Sequence, residues 1–550
     1  FQAEDGIRDF CLSRGLGDVY KRQDNTTSFL ILIEFVHNEY SLCKTFITLN
    51  IKTYPNKNSY YLTMKYFLSI DQGTTSTRCI LFNIDGTVAF SHQIELTQYF
   101  PDNNCVEHDP IEIIDSVNKC LENVVNDIDV NEIISIGITN QRETTVAWSK
   151  STGKPFYNAI VWQDTRTQDI CDELIKNKRL TELIKSTGLP ISTYFSLSKI
   201  IWLIKNVPSI KSSLFDDVCF GTVDSWILYN LTGNFYTDVT NASRTLIYDL
   251  YNMEWSDDIL NELNIPKHSL PEVKPSLSNF GEIDGVIEGV PITAILGDQQ
   301  AALFGQNCTN KGDVKNTYGT GCFALTNTGT DIIESDNGLL TTLAYQIEGE
   351  DPLYALEGSV PIAGAAVQWL RDNLNIIKSS DEIESLAMGE KDNGDVYFVP
   401  AFSGLFSPHW DETARGALFG LTRFSNKSHI ARSVLESVAF QSFELLQSME
   451  KDLDIEFQNL KVDGGMVSNN LLMQFQSDIL NKTIISQEIN EITALGAGVA
   501  SFIFAENLSI ENVGDFISTS KTWNPNMSNE SRENLLTSWF KAIEKSKHWL

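Results

Sequence analysis

The stretch YFLSIDQGTTSTRCILFNID, residues 66–85, decides the fold. It reads as a strand, a tight turn and a second strand, with Gly86 in the next turn. Gly73 allows a ligand to come close to the backbone. The amides and hydroxyls of Thr74, Thr75 and Ser76 suit phosphate oxygens, because successive N–H groups in a turn form an anion-binding concavity. Asp71 stands at the strand end, where a carboxylate can support the hydrated Mg2+ that accompanies nucleotide phosphates, and Arg78 offers a cation. Taken alone, the same residues also make a plain polar hairpin.

Working outward, the pattern predicts a helix at about 110–127, a buried strand at 133–139, and helices at 167–186 and 196–206. Short apolar strands alternating with amphipathic helices mean an α/β architecture. A second half follows the helix near 298–306. It holds a strand and glycine turn in KNTYGTGCFALTNTG (315–329) and helices at 361–373 and 428–450. A strand-turn-helix in LKVDGGMVSNNLLMQFQSDIL (460–480) and a Gly/Ala-rich helix at 493–506 complete it. IDQGTT and VDGGMVS each end a short strand in Asp before a small-residue turn. That echo predicts two related domains around one cleft.

Four further clusters carry candidate chemistry. NQRET (140–144) ends a buried strand, the place where α/β proteins bind ligands, and Arg142 with Glu143 offers donors and acceptors to adjacent hydroxyls; taken alone, the pair reads more readily as a solvated ion pair on a loop. In GDQQ (297–300), Asp298 suits a base that accepts a hydroxyl proton, and suits a helix N-cap equally well. The turn TYGTGC (317–322) and the shelf DGGMVSN (463–469) suit a nucleotide, with Gly364 and Gln368 closing the same pocket. No GxxxxGK[ST] loop and no protein-kinase HRD or DFG set occurs, so a nucleotide site here is of another kind.

Bulk properties bound these readings. A chain of 550 residues exceeds one compact core, so two or more domains are expected. The net charge of −31 argues against a nucleic-acid or anionic-membrane partner, both of which need basic surface. Nine dispersed cysteines with no CxxC pair read as reduced thiols of a cytoplasmic protein rather than a zinc site. Residues 1–63 balance seven basic against seven acidic side chains, so the whole charge excess belongs to 64–550. QAEDGIRD (2–9) resembles the translation of a common DNA-sequencing adapter, and Met64 opens a plausible start. Residues 1–63 therefore read as a non-native or disordered extension without chemistry. Its apolar stretch 29–36 is too short to span a bilayer, and no stable membrane insertion is expected.

Together the motifs resemble the FGGY family of carbohydrate kinases, in the actin, hexokinase and Hsp70-like ATPase superfamily. YFSLSKIIWLIKN (194–206) and GALFGLTRFSNKSHIARSVLE (416–436) match its signatures. NQRET, IVWQDTR, GDQQAALFGQ, NTYGTGCF, SPHWDETARGALFGLTR and VDGGMVSNN resemble, in order along 64–550, the branch that phosphorylates glycerol.

The resemblance implies two ribonuclease H-like, actin-like ATPase domains flanking a cleft. Residues 64–305 would bind glycerol and phosphate, and 306–550 the nucleotide. It implies ATP and Mg2+ as cofactors, sn-glycerol 3-phosphate and ADP as products, and a homodimer or homotetramer. The glycerol site would be Arg142, Glu143, Tyr194, Asp298 and Gln299, with Thr74 close by and Trp162 and Phe323 as an apolar wall. Nucleotide contacts would be Thr74, Thr75, Ser76, Arg78, Thr320, Gly364, Gln368, Gly465 and Asn469. Asp71 would support the metal, and Asp298 would be the catalytic base.

The chain departs from some bacterial relatives at EIDGVIEGV (282–290). This stretch lacks the arginine of a sugar-bisphosphate inhibitor loop, so that inhibition is not expected; a histidine that carries regulatory phosphorylation in other relatives is also missing. The competing readings are a family kinase of a pentulose or gluconate, a catalytically silent binding protein on the same fold, and a chaperone-type or filament ATPase.

Overall fold

The computed structural model describes residues 65–550 together with the strands Thr27–Phe35 and Cys43–Ile51, which pair antiparallel. The expectation for residues 1–63 otherwise lies outside the described residues. Residues 66–550 form one compact unit.

The opening stretch folds as its pattern dictates. Tyr66–Gln72 is buried at nearly every position and carries Tyr66, Phe67, Leu68 and Ile70 on both of its faces, as suits a central strand covered on both sides. It pairs antiparallel with Ser76–Asn83, which pairs antiparallel with the edge strand Val88–Glu95, whose residues are mostly exposed. On its other side Tyr66–Gln72 runs parallel to Ile133–Asn140, and that strand runs parallel to Pro291–Gly297. An antiparallel strand, Leu277–Glu282, closes this six-stranded sheet.

The second sheet repeats the plan. Val314–Tyr318 forms a hairpin with Cys322–Gly329, which pairs antiparallel with Leu353–Val360. On the other side lie the parallel strands Asn459–Asp463 and Thr483–Gln487 and the antiparallel edge Thr519–Trp523. A further edge strand, Leu340–Tyr345, makes this sheet seven-stranded. The expected duplication is thus present, but its equivalence differs from the echo read in the sequence. The topological partner of the Asp71 hairpin is the NTYGTG hairpin. VDGGMVS instead occupies the place of NQRET, one strand over.

Two predicted helices differ in their limits. The segment 167–186 is two helices, Gln168–Lys176 and Lys178–Ile184, because the Asn177 backbone is extended and its side chain caps Arg179 and Leu180. The helix expected from 361 begins at Gly364.

The helix Ile492–Ala505 comes late in the chain yet packs on the first sheet, against Ile133–Asn140 and the helix Asp298–Gly305. Its approach is close. A Cβ on Gly137 would lie 2.0 Å from the Ala497 carbonyl oxygen, so only glycine fits there. Phe67, Leu296, Phe304, Leu325, Leu495 and Val499 share one apolar cluster, so residues of both halves build a common core.

Candidate active site

Register brings the first-half motifs to one edge. Gln72, Asn140 and Gly297 are aligned partners on three adjacent parallel strands, so DQGTT, NQRET and GDQQ leave the sheet side by side. In the second sheet Thr317 aligns with Asp463, which places the NTYGTG and VDGG turns together. Parallel strands end in register because their helical crossovers return each to the same end, and ligands collect there.

Asp298 is the first residue of its helix, one place after the N-cap Gly297. Its Oδ1 accepts from the Gln299 amide at 2.7 Å and from Arg142 Nε at 3.1 Å, and about 35% of its side chain is exposed. Burial raises its pKa, with Arg142 opposing. Arg142 is itself buried. It donates two hydrogen bonds to Glu357, Nη1 to Oε2 at 2.5 Å and Nη2 to Oε1 at 2.9 Å, and a third from Nη1 to Gln300 Oε1 at 3.2 Å. Burial disfavours its charge, but Glu357, Glu143 and Asp298 together hold the guanidinium above its ordinary range.

Glu143 has φ of 61°, a left-handed conformation that costs a non-glycine residue free energy. It is buried and accepts from Arg244 Nε at 2.6 Å, while its own carbonyl accepts from Ser196 Oγ at 2.9 Å. Arg244, fully buried, lies over the rings of Tyr194 and Phe195 and within 3.2 Å of Glu357 Oε1. Burial raises the Tyr194 hydroxyl pKa, with Glu143 adding to it. Trp162 meets Tyr194 edge to face, with 5.6 Å between centroids, and donates from Nε1 to Thr74 Oγ1 at 3.0 Å. Phe323 is half-buried on the strand Cys322–Gly329, and its carbonyl accepts from Lys315 at 3.4 Å. Lys315 Nζ also donates to Gln299 Oε1 at 2.5 Å.

Asp71 ends its strand half-buried. Burial pushes its pKa up to about 7, Arg78 opposing and Asp298 adding to the rise. Thr75 is exposed at the turn, and its carbonyl accepts from the Leu96 amide at 2.9 Å; Ser76 begins the return strand. Arg78 is not a free cation, because Glu491 forms an ion pair with it. Across the cleft, Thr320, Gly364, Gln368, Gly465 and Asn469 all line one cavity of about 470 Å3. Every second-half residue expected to contact a nucleotide thus faces the same space. Among the described residues no cluster of three or more His, Cys, Asp or Glu suits a metal ion, and no helix is long and apolar enough to cross a membrane.

Sequence reasoning missed Arg244, Glu357, Lys315 and Gln300. Three of these are charges in otherwise apolar or neutral runs, NASRTLIY, LYALEGSV and VKNTY. A lone charge in a buried pattern must find a partner, but the sequence does not say which one.

Residues 66–305 match the FGGY family of carbohydrate kinases, N-terminal domain, and residues 314–504 match its C-terminal domain. A curated relative from Corynebacterium kroppenstedtii named glycerol kinase is 48% identical over 501 residues, covering 88% of this chain and 98% of its own. The crystal structure of Plasmodium falciparum glycerol kinase with ADP superposes with a TM-score of 0.84 at 38% identity, covering 88% of this chain and 98% of that one. A gluconate kinase from Lactobacillus acidophilus shares the fold at a TM-score of 0.78 and 22% identity. With both domain models matched in order and a relative near half identical across its length, the chain belongs to the FGGY family of carbohydrate kinases.

Proposed function

We propose that this kinase transfers the γ-phosphoryl group of ATP to a terminal hydroxyl of glycerol, giving sn-glycerol 3-phosphate and ADP. The observation that carries the reading is the polar floor formed by Arg142, Glu143, Asp298 and Gln299 beside the Trp162–Tyr194 wall. Several hydrogen-bonding groups against a small apolar face suit a short triol. Such a site discriminates strongly, because an analogue lacking a hydroxyl leaves buried polar groups unpaired.

In this reading Asp298 accepts the hydroxyl proton while the oxygen forms its bond to phosphorus and the bond to ADP breaks. Positioning and charge stabilisation supply most of the acceleration in phosphoryl transfer. The turn at Thr74, Thr75 and Ser76 would hold phosphate oxygens from one lobe and Thr320 from the other. Gly364, Gln368, Gly465 and Asn469 would hold the nucleoside. Arg78 would serve the phosphates only by sharing its charge with Glu491. Asp71 fits a Mg2+ ion: its half-buried carboxyl stands at the end of the strand that feeds the phosphate-binding turn, and oxygen ligands of this kind suit a hard divalent cation. When bound, Mg2+ supplies neutralisation of phosphate charge. We further infer a cytoplasmic enzyme, consistent with seven free cysteines among the described residues, working as a homodimer or homotetramer.

The test is ADP release by a coupled assay with glycerol, xylulose, ribulose and gluconate. Glycerol is expected to give the highest kcat/KM by at least about 100-fold, the scale on which hydrogen-bonding sites discriminate. Faster turnover of a pentulose or gluconate would overturn the reading.

A further inference from the structure

We propose that Lys315 is a positioning residue that fixes the side-chain amide of Gln299 with its NH2 group turned toward the polyol. This rests on the reading of the site as a glycerol kinase site. Lys315 lies on the central strand Val314–Tyr318 of the second sheet and is fully buried. Its Nζ donates to Gln299 Oε1 at 2.5 Å, Thr317 Oγ1 at 2.9 Å and Phe323 O at 3.4 Å. An ammonium has donors and no acceptor. The atom of Gln299 that faces it is therefore the amide oxygen, and the NH2 group points away from the buried lysine. Gln299 is only half-buried, and it follows Asp298 at the start of the helix Asp298–Gly305, at the sheet end where the GDQQ and NQRET loops emerge.

The neighbouring Asp298 presents an acceptor to the same space. The pair then offers one acceptor and one donor side by side, which matches two vicinal hydroxyls, one giving a proton and one receiving a hydrogen bond. Without the lysine the amide can rotate by half a turn and present a second acceptor beside Asp298, which repels the lone pairs of the second hydroxyl. Burial weakens the proton affinity of Lys315. The carboxylates of Asp463, Asp298 and Glu357 counter this, and Arg142 works against them. Because the lysine belongs to one lobe and Gln299 to the other, the donor is set only when the lobes are together.

The experiment measures kcat, KM for glycerol and KM for ATP in the wild type, Lys315→Met, Lys315→Arg, Gln299→Ala, the Gln299→Ala/Lys315→Met pair and Gln299→Glu. Glycerol-dependent ADP release by the wild type tests the underlying reading separately. Lys315→Met is expected to raise KM for glycerol about tenfold, the worth of one lost hydrogen bond, and to leave KM for ATP within about twofold. Lys315→Arg restores most of that loss, and Lys315→Met adds nothing on the Gln299→Ala background. Equal effects on both KM values, or a full effect of Lys315→Met without Gln299, overturn the proposal. Gln299→Glu keeps the lysine and replaces the NH2 donor by an anionic acceptor, so it tests the need for a donor even if Lys315→Met does not fold. It is expected to bind glycerol no better than Gln299→Ala, and wild-type KM in this variant overturns the proposal.

Discussion

Arg142 and Glu357 lie 215 residues apart in the chain and meet through two parallel hydrogen bonds of 2.5 and 2.9 Å, each side chain only 2% exposed. The pair ties the NQRET loop of the first sheet to a strand of the second. It also fixes the guanidinium whose Nε reaches Asp298. Breaking such a pair from one side leaves a buried charge alone, and this cost exceeds the net worth of the pair itself.

Glu357→Gln is therefore expected to lower stability by about 3 kcal/mol in urea unfolding. Burial alone would raise the Glu357 pKa, but Arg142 and Arg244 outweigh it and hold the carboxyl at about 2 against an ordinary 4.5. The folded value lies below the unfolded one. The contribution is thus full above about pH 4.5 and disappears as pH falls toward 2. The stability gap between wild type and Glu357→Gln should narrow across that window, and a gap that widens toward acid would contradict the assignment.

Asp298→Asn should lower kcat by at least about 100-fold, the low end for a positioned base. Burial raises the pKa of Asp298 and the base must be ionised, so wild-type kcat/KM should fall as pH drops through a midpoint above the ordinary carboxylate range. A folded Asp298→Asn protein with near-normal turnover would remove this residue from the role.

Asp71→Asn is expected to stabilise the ligand-free protein while impairing turnover. The folded pKa of Asp71, about 7, lies above its ordinary 3.8, so its contribution to stability is present below pH 4 and lost as pH rises through 7. Asparagine cannot ionise. At pH 8 the variant should gain at least about 1 kcal/mol in the absence of nucleotide and metal, the worth of roughly one pKa unit. The gain should shrink toward pH 4. Differential scanning calorimetry at the two pH values, with turnover measured in parallel, checks both halves of the expectation.

Adjacent glycines of the VDGG turn should separate folding from nucleotide binding. Gly464 has φ of 95°, and a Cβ there would lie 2.5 Å from the Tyr318 carbonyl oxygen, whereas a Cβ on Gly465 meets nothing within 4 Å. Gly464→Ala is expected to cost at least about 1 kcal/mol of stability. Gly465→Ala should fold normally and raise KM for ATP severalfold, because its methyl group enters the 470 Å3 cavity, with KM for glycerol unchanged. A Gly465→Ala protein with wild-type KM for ATP would move the nucleotide elsewhere.

Residues 66–85 were legible because a strand buried on both faces carries apolar residues at odd and even positions alike, and a tight turn near a ligand calls for glycine. The three loops were legible as motifs, and strand register then placed them together. Arg244, Glu357 and Lys315 were not, because each is explained by a partner that only the tertiary fold supplies: Glu143, Arg142 and Gln299. The internal echo misled for a related reason. Turns with similar small residues arise wherever a strand ends at a ligand, so IDQGTT and VDGGMVS share composition without sharing position in their sheets.

The late helix Ile492–Ala505, seated on Gly137 through its Ala497 carbonyl, bears on how this enzyme is made. A ribosome delivers the sheet of residues 66–297 long before it delivers the cover for that sheet's face. Until then the nascent polypeptide carries bare apolar strands, the kind of surface that recruits chaperones or aggregates. A gene split between the matched domain regions would hand one fragment a sheet without its lid and the other a lid without its sheet. Neither piece is a self-sufficient building block, so this two-lobed catalyst matures as an indivisible whole.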